Sequence, residues 1–272
     1  MTQRIATGTL MVLFGLLVLY FGKTVFAVAA IVCFIIAFRE EYSALANAGH
    51  RPVSWPTWVA LIVCVPSSVL LGTTAIAPML AITCLATIAC VIFRQEPHLE
   101  DALMSLLPLF SILLPGLCIV SLSLIEPLSV QRTLIGLFIT IPVLGDTFAY
   151  FVGSRLGGPK LCPAVSPNKT VSGALGGLAG SMFGAMAVLG IARLICAPTT
   201  YPLLPTWWQC LLLGLFGGIT EQLGDLFASL IKRHCRIKDF SNLFPGHGGM
   251  MDRLDSLLFM AIAVYIFRSL VW

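Results

Sequence analysis

Charged residues are scarce in this chain, where only 10% of 272 residues are Asp, Glu, Lys or Arg. A soluble domain carries about 25% charged residues, so the composition excludes an ordinary soluble protein. Apolar residues make up 58% of the sequence, and the mean hydropathy is +0.97. The formal net charge of +4 is too small, and too dispersed between apolar runs, to indicate binding to nucleic acid. These values indicate an integral membrane protein.

The sequence also lacks the cysteine spacings of a disulfide framework or a zinc site. Its nine cysteines are odd in number and scattered, and no two of them form a C-x-x-C pair. Their expected role is that of small buried side chains. Internal repeats, low-complexity tails and separate soluble domains are absent as well. The interpretation is a single membrane-embedded domain over residues 1–272, with N-terminal helices in 1–125 and the site-bearing helices and loops in 133–272.

Apolar runs of membrane-spanning length recur along the chain. At about 1.5 Å of rise per residue, the run from Ile5 to Phe38 accommodates two short helices that turn near Gly22-Lys23. A polar connection then begins at Arg39 and ends at Trp55. Further spans fit residues 56–72, 75–93, 103–125, 133–153, 172–196, 207–231 and 254–271. The pattern predicts an all-α, polytopic integral membrane protein of about nine transmembrane helices.

Nine spans would divide the sixteen basic residues unequally between the two sides of the membrane. The side of the N-terminus receives twelve of them: Arg4, Arg39, Arg51, Arg94, Arg155, Lys160, Lys169, Lys232, Arg233, Arg236, Lys238 and Arg253. The other side receives Lys23, Arg132, Arg193 and Arg268. By the positive-inside rule, the N-terminus and the candidate site loops are expected in the cytoplasm. The expected location is the bacterial inner (plasma) membrane.

Charge concentrates in one segment, residues 224–255. Asp225 lies inside the apolar run that starts near Trp207, where a carboxylate is costly unless it is paired, metal-bound or facing water. If the run is helical, Asp225, Ser229 and Lys232 share one stripe, because they stand at i, i+4 and i+7. The segment is therefore a candidate functional site.

The C-terminal part of this segment supplies further polar groups. Asp252 and Asp255 stand at i and i+3 at the start of the last apolar run, where helix N-terminal amides add positive potential. Before them, the loop Pro245-Gly246-His247-Gly248-Gly249 allows close approach of a ligand and offers amide donors to an anion. Carboxylates for a divalent cation, basic side chains for phosphates and a glycine loop together indicate a metal-dependent phosphoryl or nucleotidyl site.

These residues resemble the signature of a known enzyme family. The motifs are Ser229-x-x-Lys232-Arg233, Lys238-Asp239, Pro245-x-His247-Gly248-Gly249 and Asp252-Arg253-x-Asp255. They are similar to those of the phosphatidate cytidylyltransferases, also called CDP-diacylglycerol synthases. The resemblance implies a Mg²⁺-dependent reaction in phospholipid biosynthesis that joins CTP and phosphatidate into CDP-diacylglycerol and pyrophosphate. It is also compatible with a homodimer.

The resemblance and the chemistry of the side chains together assign expected roles. Asp225, Lys232 and Asp252 are the expected catalytic residues. Mg²⁺ is expected on Asp225, Asp252 and Asp255, and a second cation such as K⁺ could share these ligands. The expected contacts to substrate are Lys169, Ser229, Arg233, Lys238, His247, Gly248, Gly249 and Arg253.

A second informative segment starts at Asp146 and runs to Gly173. Asp146 and Tyr150 are one helical turn apart, and Lys169 precedes a predicted helix, where its ammonium suits a phosphate. The family commonly has Ser-Pro-Lys-Lys-Thr-Trp-Glu-Gly here. This chain departs from that pattern at Asn168, Val171 and Ser172, and it has Ala228 where a glutamate often precedes the signature serine.

Asp146 and Glu221 each have two possible interpretations. Asp146 is either a site residue or a satisfied group in helix packing, and Glu221 is either a third site carboxylate or a polar group that pairs helices. The G-x-x-x-G spacings of the seventh and eighth predicted spans, such as Gly180 with Gly184 and Gly214 with Gly218, predict close helix packing without chemistry.

Two other functions stay open on the sequence alone. A CTP-dependent lipid kinase, such as a polyprenol kinase, would transfer the γ-phosphoryl group, but the complete ending from His247 to Asp255 argues against it. A transporter would also bury carboxylates, although it would not need a clustered basic segment on one side. The Asp-Gly-x-x-Ala-Arg motif of alcohol phosphatidyltransferases is absent.

Overall fold

The computed structural model describes residues 23–71, 74 and 76–271. In this part of the chain the α-helices are α1 (Lys23–Asn47), α2 (Trp55–Leu71), α3 (Ile76–Ile92), α4 (Leu99–Pro108), α5 (Leu114–Leu122), α6 (Leu128–Leu156), α7 (Val171–Ile195), α8 (Trp207–His234) and α9 (Met251–Val271). A π-helical turn, Leu109–Leu113, joins α4 to α5, and a 3-10 helix covers Pro198–Leu203. Strands β1 (Lys160–Cys162) and β2 (Ser166–Thr170) form an antiparallel hairpin between α6 and α7.

The helices confirm the predicted class of all-α membrane protein. Within the described residues, four helical segments are long and apolar enough to cross a membrane: Leu99–Leu122, Leu128–Leu156, Val171–Ile195 and Trp207–His234. Helices α2 and α3 are apolar but shorter. The first predicted span, which ends near Gly22, lies outside the described residues, so the total of nine spans stays a prediction.

The chain forms two compact units. Unit 1 comprises the described residues up to Leu124 together with Ile231–Leu254, and unit 2 comprises Ile125–Leu230 together with Asp255 onward. Helices α1 to α5 lie before the first boundary. The basic segment after α8, in contrast, belongs to the same unit as those N-terminal helices.

In unit 1, helix α1 extends further than the sequence suggested. The predicted polar connection from Arg39 is instead helical to Asn47. Glu40 and Glu41 are buried there, and the Glu41 carboxylate accepts a hydrogen bond of 2.7 Å from Ser111 in the π-helical turn. Glu40 also accepts hydrogen bonds within unit 1, from Ser241, Met250 and Met251. Because both acids find partners inside the protein, the helix can continue through them, and the prediction of a connection starting at Arg39 was wrong.

In unit 2, small residues let the helices pack closely. A Cβ atom on Gly180 of α7 would lie 2.6 Å from the backbone oxygen of Leu144 on α6. A Cβ atom on Gly214 of α8 would lie 2.7 Å from Cα of Met182 on α7. Neither position has room for a side chain, which confirms the predicted packing role of the G-x-x-x-G spacings.

Candidate active site

Unit 2 contains a cleft of about 580 Å³, within the range of small-molecule sites. Its polar lining comes from α6, the hairpin and α8, and includes Asp146, Tyr150, Lys160, Asn168, Lys169 and Gln222. The second informative segment of the sequence therefore forms most of this cleft. Asp146 is an exposed lining residue of the cleft, so it is not buried in a helix interface.

The hairpin is held by local contacts at both ends. Gly157, the C-cap of α6, has φ of 61°, a positive value that favours glycine. Thr170 is the N-cap of α7, and its hydroxyl accepts a hydrogen bond of 3.1 Å from the amide of Gly173. The hydroxyl of Ser172 donates to the backbone oxygen of Gly157. Ser172, one of the departures from the family pattern, thus ties the end of α6 to the start of α7.

Lys169 and Asp225 form an ion pair in unit 2. The distance from Lys169 Nζ to Asp225 Oδ2 is 2.6 Å, and the two side chains are 26% and 29% exposed. The hydroxyl of Ser229 lies 3.5 Å from Asp225 Oδ1, which is longer than the distance of about 2.5–3.0 Å in an ordinary hydroxyl hydrogen bond. The structure therefore brings together a predicted phosphate-binding cation and a predicted metal ligand, within reach of solvent.

The predicted ligand Asp255 lies close to the same part of α8. A Cβ atom on Gly224 would lie 2.6 Å from the backbone oxygen of Asp255, so α8 and α9 approach closely at this point. The glycine beside Asp225 thus makes room for the helix that carries Asp255. The carboxylate of Asp255 accepts a hydrogen bond of 2.8 Å from the amide of Ser256.

Glu221, one helical turn before Asp225, is completely buried. Both of its carboxylate oxygens lack a hydrogen-bond partner within the described residues. Space for this carboxylate exists because Gly145 on α6 has no side chain, since a Cβ atom there would lie 2.7 Å from Glu221 Oε1. Glu221 therefore does not pair helices through a hydrogen bond. An unpartnered buried carboxylate must be neutral or must face a bound cation.

Lys232 and Asp252 form a second ion pair, within unit 1. Lys232 Nζ lies 2.7 Å from Asp252 Oδ1, and the two side chains are 12% and 3% exposed. Asp252 Oδ2 also accepts hydrogen bonds from the amides of Phe240 (2.8 Å) and Gly249 (2.9 Å). One carboxylate thus ties the end of α8, the loop after it and the start of α9 together.

The two consecutive glycines of the loop pack against carboxylates. Gly248 has φ of +81°, and a Cβ atom there would lie 2.8 Å from Asp252 Oδ2. A Cβ atom on Gly249 would lie 2.6 Å from an oxygen of Glu40, on α1. The motif therefore has a structural requirement for glycine in addition to its predicted role in binding substrate. Sequence reasoning missed Glu40, for which the only signal was an acidic pair that follows an apolar run.

The remaining predicted substrate contacts lie in the same unit. Arg233, Lys238 and Arg253 have exposed side chains, and His247 is half-buried, with its amide donating to the oxygen of Phe244 at 2.8 Å. Exposed cations can reach an anionic ligand without breaking buried contacts. Their roles stay predictions.

The donor set suits a hard divalent cation, although no preformed cage is present in residues 23–71, 74 and 76–271. Within these ranges no three His, Cys, Asp or Glu side chains group closely enough to hold a metal ion. Carboxylate oxygens are nevertheless the preferred ligands of Mg²⁺, which keeps several waters and binds through one or two carboxylates plus substrate phosphates. The partly exposed Asp225 and the unpartnered oxygens of Glu221 fit such an ion.

Comparison with known proteins identifies the same family that the sequence motifs resemble. A model of the cytidylyltransferase family matches residues 2–271. Proteins named phosphatidate cytidylyltransferase from Brucella abortus and Bacillus subtilis are each 44% identical over 125 residues, which is 46% of this chain and 43% of the relative. One from Aquifex aeolicus is 40% identical over 158 residues, 58% of this chain and 54% of the relative. The matched regions thus span about half the length of these relatives.

Proposed function

Because the chain belongs to the cytidylyltransferase family, we propose that it transfers the cytidylyl group of CTP to phosphatidate. A phosphate oxygen of phosphatidate would attack the α-phosphorus of CTP, and the bond from that phosphorus to the bridging oxygen would break. The products would be CDP-diacylglycerol and pyrophosphate. The observation that carries the proposal is the Lys169–Asp225 ion pair beside a cleft of nucleotide size.

The main difficulty of this reaction is electrostatic. Phosphatidate and CTP are both strongly anionic, so their repulsion must be neutralised before the attacking oxygen can align with the α-phosphorus. The lipid phosphate is itself the nucleophile, and no covalent protein intermediate is required. Catalysis would therefore consist of positioning and charge stabilisation. Lys169 and Lys232 would bind phosphate oxygens, and Arg233, Lys238, His247 and Arg253 would add further contacts.

The ion pair of Lys169 with Asp225 suits a reversible exchange of partners. A salt bridge that is about a quarter exposed contributes only about 0–1 kcal/mol to stability, so it can open at little cost. Without phosphate, Asp225 neutralises Lys169. With phosphate bound, Lys169 would turn to the ligand, and the carboxylate of Asp225 would become available as a cation ligand.

We assign the divalent cation, Mg²⁺, to Asp225, Asp252 and Asp255, and a second cation such as K⁺ could share these ligands. The divalent ion would neutralise triphosphate charge and stabilise the departing pyrophosphate. Asp252 has a lone pair to spare, because a carboxylate offers about four acceptor sites and three donors face it here. The proposal also includes a homodimer, which rests on the family resemblance alone.

Doubly labelled CTP tests which phosphorus is attacked. Purified protein in detergent, with Mg²⁺ and phosphatidate, should attach a label in the cytosine base to the extracted lipid, leave a γ-phosphate label in the aqueous phase and release pyrophosphate. Lys232→Ala should reduce the lipid product by about one to two decades, because a charge-assisted phosphate contact is lost. Arg132→Ala, which removes an exposed cation without a proposed role, should leave the rate unchanged.

The other two outcomes of the labelling experiment would each indicate a different function. Lipid that carries only the γ-label would replace the proposal with a lipid kinase of the polyprenol kinase type. Lipid that carries neither label, with folded protein and Mg²⁺ present, would support the transporter interpretation.

The second prediction concerns orientation in the bacterial inner membrane. The unequal distribution of basic residues places Arg236 in the cytoplasm and Arg132 outside, and both side chains are exposed. On a background in which all native cysteines are replaced, Arg132→Cys should react with an impermeant thiol reagent in intact cells. Arg236→Cys should react only after the cells are opened. Reaction of Arg236→Cys in intact cells would overturn the orientation and the access of the site to cytoplasmic CTP.

A further inference from the structure

We propose that Glu40 is a positioning residue of the active site. Its carboxylate, on α1, would hold the segment Ser241–Met251 in the conformation that presents His247 and Asp252. The significance of this role for catalysis rests on the proposed function, in which His247 contacts phosphate and Asp252 holds the cation.

Three donors converge on Glu40 from this segment. The hydroxyl of Ser241 and the amide of Met250 donate to Glu40 Oε1, at 2.6 Å and 3.0 Å. The amide of Met251 donates to Oε2 at 2.8 Å. Glu40 is only 8% exposed, so water competes little for these hydrogen bonds. Both carboxylate oxygens therefore anchor the chain where the loop becomes α9.

These hydrogen bonds require a carboxylate at position 40, and the amide of a glutamine cannot replace it. All three partners of Glu40 are donors, and they are divided between the two oxygens. A glutamine has one acceptor oxygen, and its NH₂ group would face at least one donor. A buried donor left without an acceptor is costly, so Gln cannot reproduce the anchor although it has the same shape.

The anchored amides lie at the N-terminus of α9, the helix that begins at Met251. The first amides of a helix have no partner within the helix, and a carboxylate near them also interacts favourably with the helix dipole. Asp252 follows directly. The amides of Met250 and Met251 bond to Glu40, and the Asp252 carboxylate bonds to Gly249, so Glu40 sets the position from which Asp252 acts.

Gly249 packs directly against the carboxylate of Glu40. A Cβ atom on Gly249 would lie at 2.6 and 2.7 Å from the two oxygens of Glu40. The glycine and the acid are therefore a matched pair, because a side chain at 249 would displace Glu40 from the amides. This pairing makes the proposal testable by coupling between two substitutions.

Hydrogen–deuterium exchange tests the anchor without reference to activity. In the full-length protein in detergent, Glu40→Gln should raise the exchange rate of peptides that contain Met250 and Met251 by at least about tenfold, whereas peptides from α6 and α7 should not change. Glu41→Gln is the matched control. It alters a buried neighbour that accepts from Ser111, and its glutamine can still accept that bond, so exchange near Met251 should stay as in the wild type.

Two activity measurements separate positioning from general stability. The Mg²⁺ concentration for half-maximal turnover should rise by about tenfold in Glu40→Gln and stay constant in Glu41→Gln, because only the first loosens the segment of Asp252. Gly249→Ala should lower turnover by at least about tenfold in the wild type. In a Glu40→Ala background, where no carboxylate meets the new methyl group, it should lower turnover by less than about threefold further.

Each part of the proposed role of Glu40 would be contradicted by a different result. Unchanged exchange at Met250 and Met251 in Glu40→Gln, or additive effects of Gly249→Ala and Glu40→Ala, would overturn the anchoring role. Faster exchange with an unchanged Mg²⁺ requirement would overturn the link from Glu40 to Asp252. If the wild type attached no cytidine label to lipid, the proposed function would fail, whereas the exchange result would still decide whether Glu40 anchors the segment.

Discussion

Asp225→Asn is expected to lower the rate of cytidylyl transfer at least about a hundredfold, measured at saturating Mg²⁺. The substitution keeps the shape of the side chain but removes the charge that faces Lys169 at 2.6 Å and that would hold the cation. Stability should change little, because the Lys169–Asp225 pair is partly exposed and such pairs contribute about 0–1 kcal/mol. The protein should therefore express, purify and melt like the wild type.

The control is Glu100→Gln, which removes one negative charge from an exposed position in the first turn of α4. Turnover of this variant should equal that of the wild type. Near-normal activity of Asp225→Asn would remove Asp225 from the cation site. A large loss of thermal stability in Asp225→Asn would contradict the view that its ion pair is weak and exchangeable.

Asp252→Asn is expected to reduce both turnover and stability. Turnover should again fall at least about a hundredfold, as for any lost cation ligand. The carboxylate also accepts from Lys232, Phe240 and Gly249, and an asparagine could satisfy these three donors only in part. Lys232 would be left nearly buried without its partner, at a cost of about 3 kcal/mol. The apparent melting temperature in detergent should fall by about 5 °C or more.

A double variant separates the two effects. Adding Lys232→Met to Asp252→Asn removes the unpaired buried charge, so part of the lost melting temperature should return. Turnover should not return, because the cation ligand and the phosphate contact are then both absent. An unchanged melting temperature in Asp252→Asn would show that this carboxylate does not organise the loop. Recovery of turnover in the double variant would exclude catalytic roles for both residues.

The different responses expected for the two aspartates follow from their surroundings. In the sequence, Asp225 and Asp252 look alike, since each is an acidic residue of the charged segment 224–255 and adjoins an apolar run. In the structure, Asp225 has one strong partner and partial exposure, whereas Asp252 is buried among three donors. The number of donors around a carboxylate depends on the fold, and no local pattern reports it.

The positions of most helices were predictable from the sequence, because their hydrogen bonds are local and a span needs a minimum apolar length. The predicted spans 172–196 and 207–231 correspond to α7 (Val171–Ile195) and α8 (Trp207–His234). The family signature likewise depends on residue types at short spacings, so the candidate residues Lys232 and Asp252 were already apparent. Close helix packing followed from the glycine spacings for the same reason.

The sequence by itself thus determined the membrane class, the family resemblance and the candidate residues, since each is recorded in the order of neighbouring residues. Only the tertiary structure decided which groups meet. Glu40 anchors Ser241 and Met250, which lie 201 and 210 residues further along the chain, and Lys169 reaches Asp225 from a hairpin that no periodicity predicted. Helix α1 continues past Arg39 because its acids find these distant partners. A buried carboxylate must be satisfied somewhere, but where it is satisfied depends on the folding of the whole chain.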